Sequence, residues 1–473
     1  MLFNSLTFVA FFAIVLALHH APWGSWRAKK IQLLVASYLF YAAWNPPFIL
    51  LLWISTVVDW HVAQRIHATA ARRRRRIWLL VSVAVNLGIL GYFKYGGFLL
   101  DNWVALVGAL GIEWQVPSWT IVLPVGISFY TFQTMAYSLD VYLRRAEPAD
   151  SLLDFGLFVT FFPQLVAGPI VRPTDLIPQF ANRPPPRAGR FAWGLSLMVL
   201  GMFQKIVIAD GALAPAAEKV FEAGDTLAWT DAWLGTLAFS GQIFSDFAGY
   251  STTAIGAALV LGFSLPDNFR FPYAAVGFSD FWRRWHVSLS TWLSDYLYVP
   301  LGGNRKGPAR TYVNLMLTML LGGLWHGASW TFVVWGGLHG TYLAVERFIR
   351  ERVGPTRLSR TLPFQIALAM LTYFLVNVTW VFFRAREFDT AWRMIGSMLT
   401  FGSGKRVLPA VDIALVGGTI FAMLLVHGLM RERRLEEVVA RTPWWVTATV
   451  VGAMLVSIVI TQGSTNAFIY FQF

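Results

Sequence analysis

The sequence predicts an all-α polytopic membrane protein, and three observations carry that prediction. Of its 473 residues, 56% are apolar or aromatic and only 13% are charged, where a soluble domain is about one quarter charged. Stretches such as 364–383 run without a charge for the length that crosses a bilayer core. A soluble fold cannot hide so much apolar surface, because it must keep a polar exterior. The third observation is where the basic residues fall. The net charge is +13, and most Lys and Arg gather at 27–30, 65–76, 144–145, 172–190, 270–310, 347–360 and 431–441. The apolar segments thread so that all of these stretches face one side, the bias that marks cytoplasmic loops. The charge therefore reads as a topology signal, with the lipid bilayer as partner and no nucleic acid. Cys is absent, which excludes disulfides, thiolate metal sites and a thioester on the protein itself.

The segments follow in order. Residues 2–18 are apolar and their positive charges, Arg27, Lys29 and Lys30, come after them. That predicts a retained first helix with the N-terminus outside and no cleaved signal. Segments 31–44 and 48–60 flank Asn45-Pro46-Pro47, a pair of prolines without N–H donors that breaks the helix into a tight hairpin. Segment 77–100 leads outward and 121–142 returns. Segment 152–171 carries Pro163, Gly168 and Pro169 and is expected to be broken or re-entrant, which is tolerated only when buried in protein or lining a cavity. Segment 191–208 leads to an outside loop with Glu218, Glu222, Asp225 and Asp231, and 233–261 returns. Residues 264–310 form neither a clear span nor a polar loop, and are expected to be a re-entrant or amphipathic region. A hairpin of 312–324 and 330–345 follows, then 364–383, a partial helix at 390–399, 413–429 and 445–460. The total is about eleven crossing or half-crossing segments. No internal repeat interrupts them, so residues 1–473 are expected to be one domain.

Two places concentrate polar chemistry. Read as a helix, 281–296 carries Trp282, Trp285, Leu289, Trp292 and Tyr296 on one stripe. Arg283, His286, Ser290 and Ser294 line a second stripe, with Arg284, Ser288, Thr291 and Asp295 beside it. Such spacing suits an interfacial amphipathic helix and equally a helix whose polar face lines a wet cavity. The glycine turn Gly302-Gly303-Asn304-Arg305-Lys306-Gly307 behind it is a basic cytoplasmic turn or a phosphate cradle. The second place is Gly322-Gly323-Leu324-Trp325-His326-Gly327-Ala328. There an ionisable His326 follows a charge-free stretch, which is costly and points to function. A packing histidine bonded to a carbonyl is the alternative. Gly323 and Gly327, like Gly336 and Gly340, are spaced for close helix packing. His339 falls where packing is the expected role, and His427 near a helix end. No His spacing provides enough ligands for a metal, and no nucleophile elbow or Walker loop is present.

At these motifs the chain resembles the membrane-bound O-acyltransferase (MBOAT) family, and within it the bacterial alginate O-acetyltransferase-like branch. The likeness runs through Asn268-Phe269, Pro272-Tyr273, Phe281 to Trp292, Asp295 to Arg305 and Gly323 to Ala328. It extends to Phe129 to Gln133, Phe161 to Ile170 and the ending Phe468-Ile469-Tyr470-Phe471. It departs at Ser294 and Thr252, where the branch carries Arg and Asp. The resemblance implies a ring of tilted helices around a central funnel or tunnel, with His326 as the catalytic histidine and His286 as its partner. It implies an O-acetyl transfer enzyme of the bacterial inner membrane, with acetyl-CoA as donor substrate and no permanently bound cofactor. The implied acceptor is an exopolysaccharide or a hydroxyl on a periplasmic SGNH-type transferase. Arg283, Ser288, Ser290, Asp295, Tyr296, Asn304, Arg305 and Trp325 are expected to contact donor or acceptor. D-alanyl transfer to teichoic acid is the alternative chemistry, and transport of acyl groups or glycans without catalysis is the alternative class. The absence of paired intramembrane carboxylates and of clear repeats counts against a proton-coupled transporter.

Overall fold

A backbone in hydrocarbon must satisfy its own hydrogen bonds, so the apolar segments have only helices or a closed barrel available. They form helices. The computed structural model describes residues 1, 3–22, 24–114, 121–183, 189–354, 356–401, 404–461 and 469. In chain order the helices are α1 (Leu6–His20), α2 (Trp26–Ala42), α3 (Pro46–Ala68), α4 (Arg72–Ala109) and α5 (Ile127–Tyr142). Next come α6 (Leu152–Thr160), α7 (Phe162–Leu165), α8 (Pro173–Ala181), α9 (Arg190–Phe221) and α10 (Trp229–Val260). Then follow α11 (Phe278–Trp282), α12 (Val287–Leu293), α13 (Pro308–His326), α14 (Trp330–Val353) and α15 (Leu362–Arg384). The last are α16 (Phe388–Leu399), α17 (Ala410–Met430), α18 (Leu435–Arg441) and α19 (Trp444–Thr461). Among the described residues there is no β-strand, and α3, α4, α9, α15, α17 and α19 are long and apolar enough to span a membrane. Of the ending motif, only Ile469 lies among the described residues.

The helix breaks fall where the punctuation residues put them. The break between α2 and α3 falls at Asn45, and Pro46 and Pro47 open α3 as a short tight turn. Segment 152–171 breaks at Phe161, ahead of Pro163, and the single turn α7 follows. Residues 154–171 are all buried, the condition for irregular backbone at membrane depth. Gly168 is required there, because a Cβ would come within 2.4 Å of the Gln164 backbone. One expectation fails. The stretch 281–296 is not one helix: α11 ends at Trp282, α12 begins at Val287, and a sharp corner lies between them.

The described residues group into two compact units, Met1–Leu195 with Ala254–Pro266, and Ser196–Thr253 with Asp267–Phe473. In the first, α3, α4 and α5 close around a fully buried carboxylate. Asp59 accepts from Asn86 Nδ2 at 2.7 Å, from Ser138 Oγ at 3.0 Å and from Ser82 Oγ. Thr134 adds an outer layer, 2.9 Å from Asn86 Oδ1. Lys30 pairs with Asp154, tying α2 to α6. Burial of such groups is tolerable because each is hydrogen-bonded.

In the second unit, α13 and α14 form a hairpin with backbones in contact. A Cβ on Gly323 would lie 2.2 Å from Phe332 O, and one on Gly336 would lie 2.2 Å from Met319 O. Elsewhere in this unit Lys205 of α9 bridges Asp210 at 2.9 Å and Asp246 of α10 at 2.7 Å. Ile469 N donates to the other oxygen of Asp246 at 2.6 Å. The chain therefore does hold paired buried carboxylates, contrary to the sequence reading. They were hidden because Lys205 joins carboxylates on two consecutive helices whose pairing exists only once α9 and α10 pack together.

Candidate active site

The site is built on the hairpin and on the corner. Pro308 starts α13, where its fixed φ suits the first helical turn. His326 ends it. Ser329 then opens α14 by accepting Thr331 N–H at 3.3 Å, so His326 sits at the closed end of the hairpin. It is 3% exposed. Its ring lies 5.0 Å from Trp325, 5.0 Å from Trp335 of α14 and 5.3 Å from Phe383 of α15, all edge-on.

His286 is the corner itself. Its backbone is left-handed, φ 41 and ψ 55, a conformation that costs a residue with a side chain about 1–3 kcal/mol. The cost is sustained because the surroundings over-determine the corner. The segment after Pro266 runs alongside it: Val287 N–H donates to Asn268 O and Arg270 N–H to Arg284 O, each at 2.9 Å. Asn268 Oδ1 lies 3.2 Å from His286 Nδ1, 2.9 Å from Ser288 Oγ and 3.3 Å from Ser288 N. Beneath the corner Trp285 is fully buried among Phe269, Phe281 and Trp380, with ring separations of 5.2, 5.7 and 5.0 Å. His286 is also fully buried, 4.7 Å from the Phe247 ring and 5.9 Å from the Trp325 ring. Both imidazoles thus lie against one indole, Trp325.

The outer side of the region is held by charge. Arg284 Nε meets Asp280 at 3.0 Å, and its terminal nitrogens reach Arg431 O at 2.6 Å and Glu432 at 3.0 Å. Arg431 binds the other Asp280 oxygen at 3.0 Å. Burial alone would raise the Asp280 carboxyl. The Val276 N–H and the Arg431 and Arg284 guanidiniums outweigh it and hold the group below the usual carboxylate range. Glu346 of α14 caps α11 by accepting Phe278 N–H at 2.6 Å and Ser279 N–H at 3.0 Å. A carboxylate at a helix start compensates the unsatisfied amides and the dipole.

Of the residues singled out in the sequence, His286, Ser288, Trp325 and His326 come together. Ser290 supports the corner, donating to Trp285 O at 3.1 Å. Tyr296 is buried against Trp292 at 5.2 Å, and Asp295 shares the wide helical turn Ser294–Tyr298 with it. Arg283 points away, exposed, with its guanidinium 3.1 Å from Ser279 Oγ. Asn304 and Arg305 are exposed on the glycine turn before α13, at the opposite end of that helix from His326. Asn268, Phe247, Trp335 and Phe383 line the site and were not singled out as contributors. His339 takes a packing role, 4.7 Å from the Trp335 ring with Nε2 3.0 Å from Thr379 Oγ1. His427 accepts Tyr273 N–H at 3.2 Å.

The chain is similar to known proteins over most of its length. A family model described as MBOAT, membrane-bound O-acyltransferase family, matches residues 144–386, which include both histidines. The chain is 46% identical over 377 residues to "Probable alginate O-acetylase AlgI" of Azotobacter vinelandii, covering 80% of this chain and 74% of that one. It is 38% identical over 398 residues to "Peptidoglycan O-acetyltransferase" of Helicobacter pylori, covering 78% and 73%. It is similar at greater distance to "Teichoic acid D-alanyltransferase" of Bacillus subtilis, 27% identical over 251 residues, with 50% and 62% covered.

Proposed function

The chain belongs to the membrane-bound O-acyltransferase family, and from that premise we propose how its residues carry O-acetyl transfer. It is a multi-pass membrane O-acetyltransferase, and its reaction needs an acyl donor. The donor in this proposal is acetyl-CoA, free of any permanently bound cofactor. His326 removes the proton from an acceptor hydroxyl as its oxygen attacks the thioester carbonyl. A C–O ester bond forms, the C–S bond breaks, and the proton passes from His326 to the departing thiolate. His286 faces the same indole and orients the acceptor hydroxyl or relays its proton. With no Cys in the chain, direct transfer is the simplest path.

Arg305, Lys306 and Arg310 cluster at the start of α13. That helix is 19 residues long, about 28 Å at its usual rise, so phosphates held at this turn lie far from His326. A donor bound there must carry its thioester on a long arm, as CoA does. The basic stretches support a reading in which this end faces the cytoplasm from a bacterial inner membrane, with the N-terminus outside. The acceptor in this proposal is an exported polysaccharide, or a hydroxyl on a periplasmic SGNH-type partner that completes the modification. D-alanyl transfer has less support, because the named D-alanyltransferase matches half of the chain and the O-acetylases match most of it.

The observation that carries this reading is that the buried His286 and His326 rings both lie against Trp325. Full-length protein and its His326→Ala variant, in liposomes with acetyl-labelled CoA thioester, test it. The variant is expected to lose CoA release and label transfer to a hydroxyl acceptor by at least a hundredfold. Equal rates in both would remove His326 from the chemistry. Label crossing the bilayer without CoA release would identify a transporter instead.

A further inference from the structure

We propose that Asn268 is the positioning residue that fixes the tautomer of His286, holding the proton on Nδ1 and presenting Nε2 as the acceptor. The inference rests on His286 belonging to the reacting pair. Its starting point is Ser288 N–H, a donor that cannot change role. It lies 3.3 Å from the Asn268 side-chain oxygen, so this end of the amide is the carbonyl end. The opposite orientation would set an NH₂ group against a backbone N–H. Ser288 Oγ lies 2.9 Å from the same oxygen, and its hydroxyl proton goes there. His286 Nδ1 is 3.2 Å from that oxygen. A lone pair on Nδ1 would face the lone pairs of a carbonyl already committed as an acceptor. The contact is attractive only when Nδ1 carries the hydrogen.

Asn268 controls the backbone of the corner as well. Its own carbonyl accepts Val287 N–H at 2.9 Å, so one residue, 1% exposed, grips His286 from both sides. The left-handed φ of His286 gives this grip its purpose. A relaxed helix through 283–288 would carry the imidazole away from Asn268. The strained corner keeps ring and amide together. Partners that fix the tautomer of metal-binding histidines typically change activity 10–100-fold when removed, and a comparable scale is expected here.

Histidine-selective ¹⁵N NMR of the full-length protein in nanodiscs tests the proposal without relying on activity. The His286 resonances are identified by their loss in His286→Gln. The wild-type protein is expected to show a protonated Nδ1 and an unprotonated Nε2 at this residue. A protonated Nε2 with a bare Nδ1 overturns the proposal, and this reading needs no change at position 268. Asn268→Leu, close in volume and without an acceptor, is expected to lose that signature and to lower kcat at least tenfold, with donor KM within about twofold. Asn268→Asp keeps an acceptor oxygen and is expected to retain the Nδ1–H signature. Unchanged signature and kcat in Asn268→Leu also overturn the proposal. If the signature is present while His286 variants remain fully active, the tautomer assignment stands and the role of His286 in transfer falls.

Discussion

At the scale of the residue, the site turns on one indole. Trp325 is 4% exposed and lies against both imidazoles, at 5.9 and 5.0 Å. A rigid ring against both histidines suits the reproducible geometry that the proposed two-histidine transfer needs. Trp325→Ala is expected to lower kcat at least tenfold and to destabilise the fold by about 3–5 kcal/mol. Trp325→Phe keeps an aromatic wall and should recover most of the stability while leaving a smaller rate defect. Unfolding temperature and acetyl-transfer rate, measured together, separate the two effects; a wild-type rate in Trp325→Ala would show that the indole sets no distance. The sequence revealed His326 and Trp325 because an ionisable residue in a charge-free stretch stands out. It did not reveal Asn268, a lone amide in an aperiodic segment 18 positions before His286. Its partnership exists only through tertiary contact.

At the scale of the element, α13 and α14 show what the glycine spacing was for. With 2.2 Å between a hypothetical Cβ on Gly336 and Met319 O, the two helices cannot keep their present separation if any side chain is added. Gly336→Ala is expected to push the hairpin apart, costing about 1–3 kcal/mol as overpacking. It should also reduce transfer severalfold by displacing His326, although Gly336 touches no substrate. Gly417 has open space where a Cβ would go, so Gly417→Ala in α17 serves as the control and should match wild type in both stability and rate. Equal behaviour of the two variants would mean that the hairpin relaxes without moving the site. The contrast with 281–296 is instructive. That stretch has helical spacing and no Pro or Gly to break it, and still it turns sharply at His286. Local pattern predicts a helix there; the neighbouring strand-like segment 268–270 overrides it by taking the amides of Val287 and the carbonyl of Arg284.

At the scale of the molecule, the charge pattern is a statement about sides. Within the second unit, α17 is 21 residues long, about 31 Å, which matches a bilayer core of about 30 Å. Its two ends meet different company. Before its start, Lys405 pairs with Asp225 at 2.8 Å, and Val407 and Leu408 donate to Asp231 at 2.6 and 2.9 Å. After its end, Arg431 binds Asp280 at 3.0 Å and Arg284 binds Glu432 at 3.0 Å. Within this unit the acidic loop and two of the basic stretches, 270–310 and 431–441, therefore meet opposite ends of one helix long enough to span, the arrangement that the sequence threading expects. Because the chain has no Cys, single cysteines report sidedness on an otherwise silent background. Thr226→Cys and Arg433→Cys both replace exposed residues and leave the site untouched. In right-side-out membrane vesicles, a membrane-impermeant maleimide is expected to label Thr226→Cys at once and Arg433→Cys only after permeabilisation. The reverse order would invert the protein and put the Arg305 turn on the side away from cytoplasmic acetyl-CoA. Labelling of both from one side would mean that α17 does not cross, and the positive stretches would then have to be explained by something other than topology.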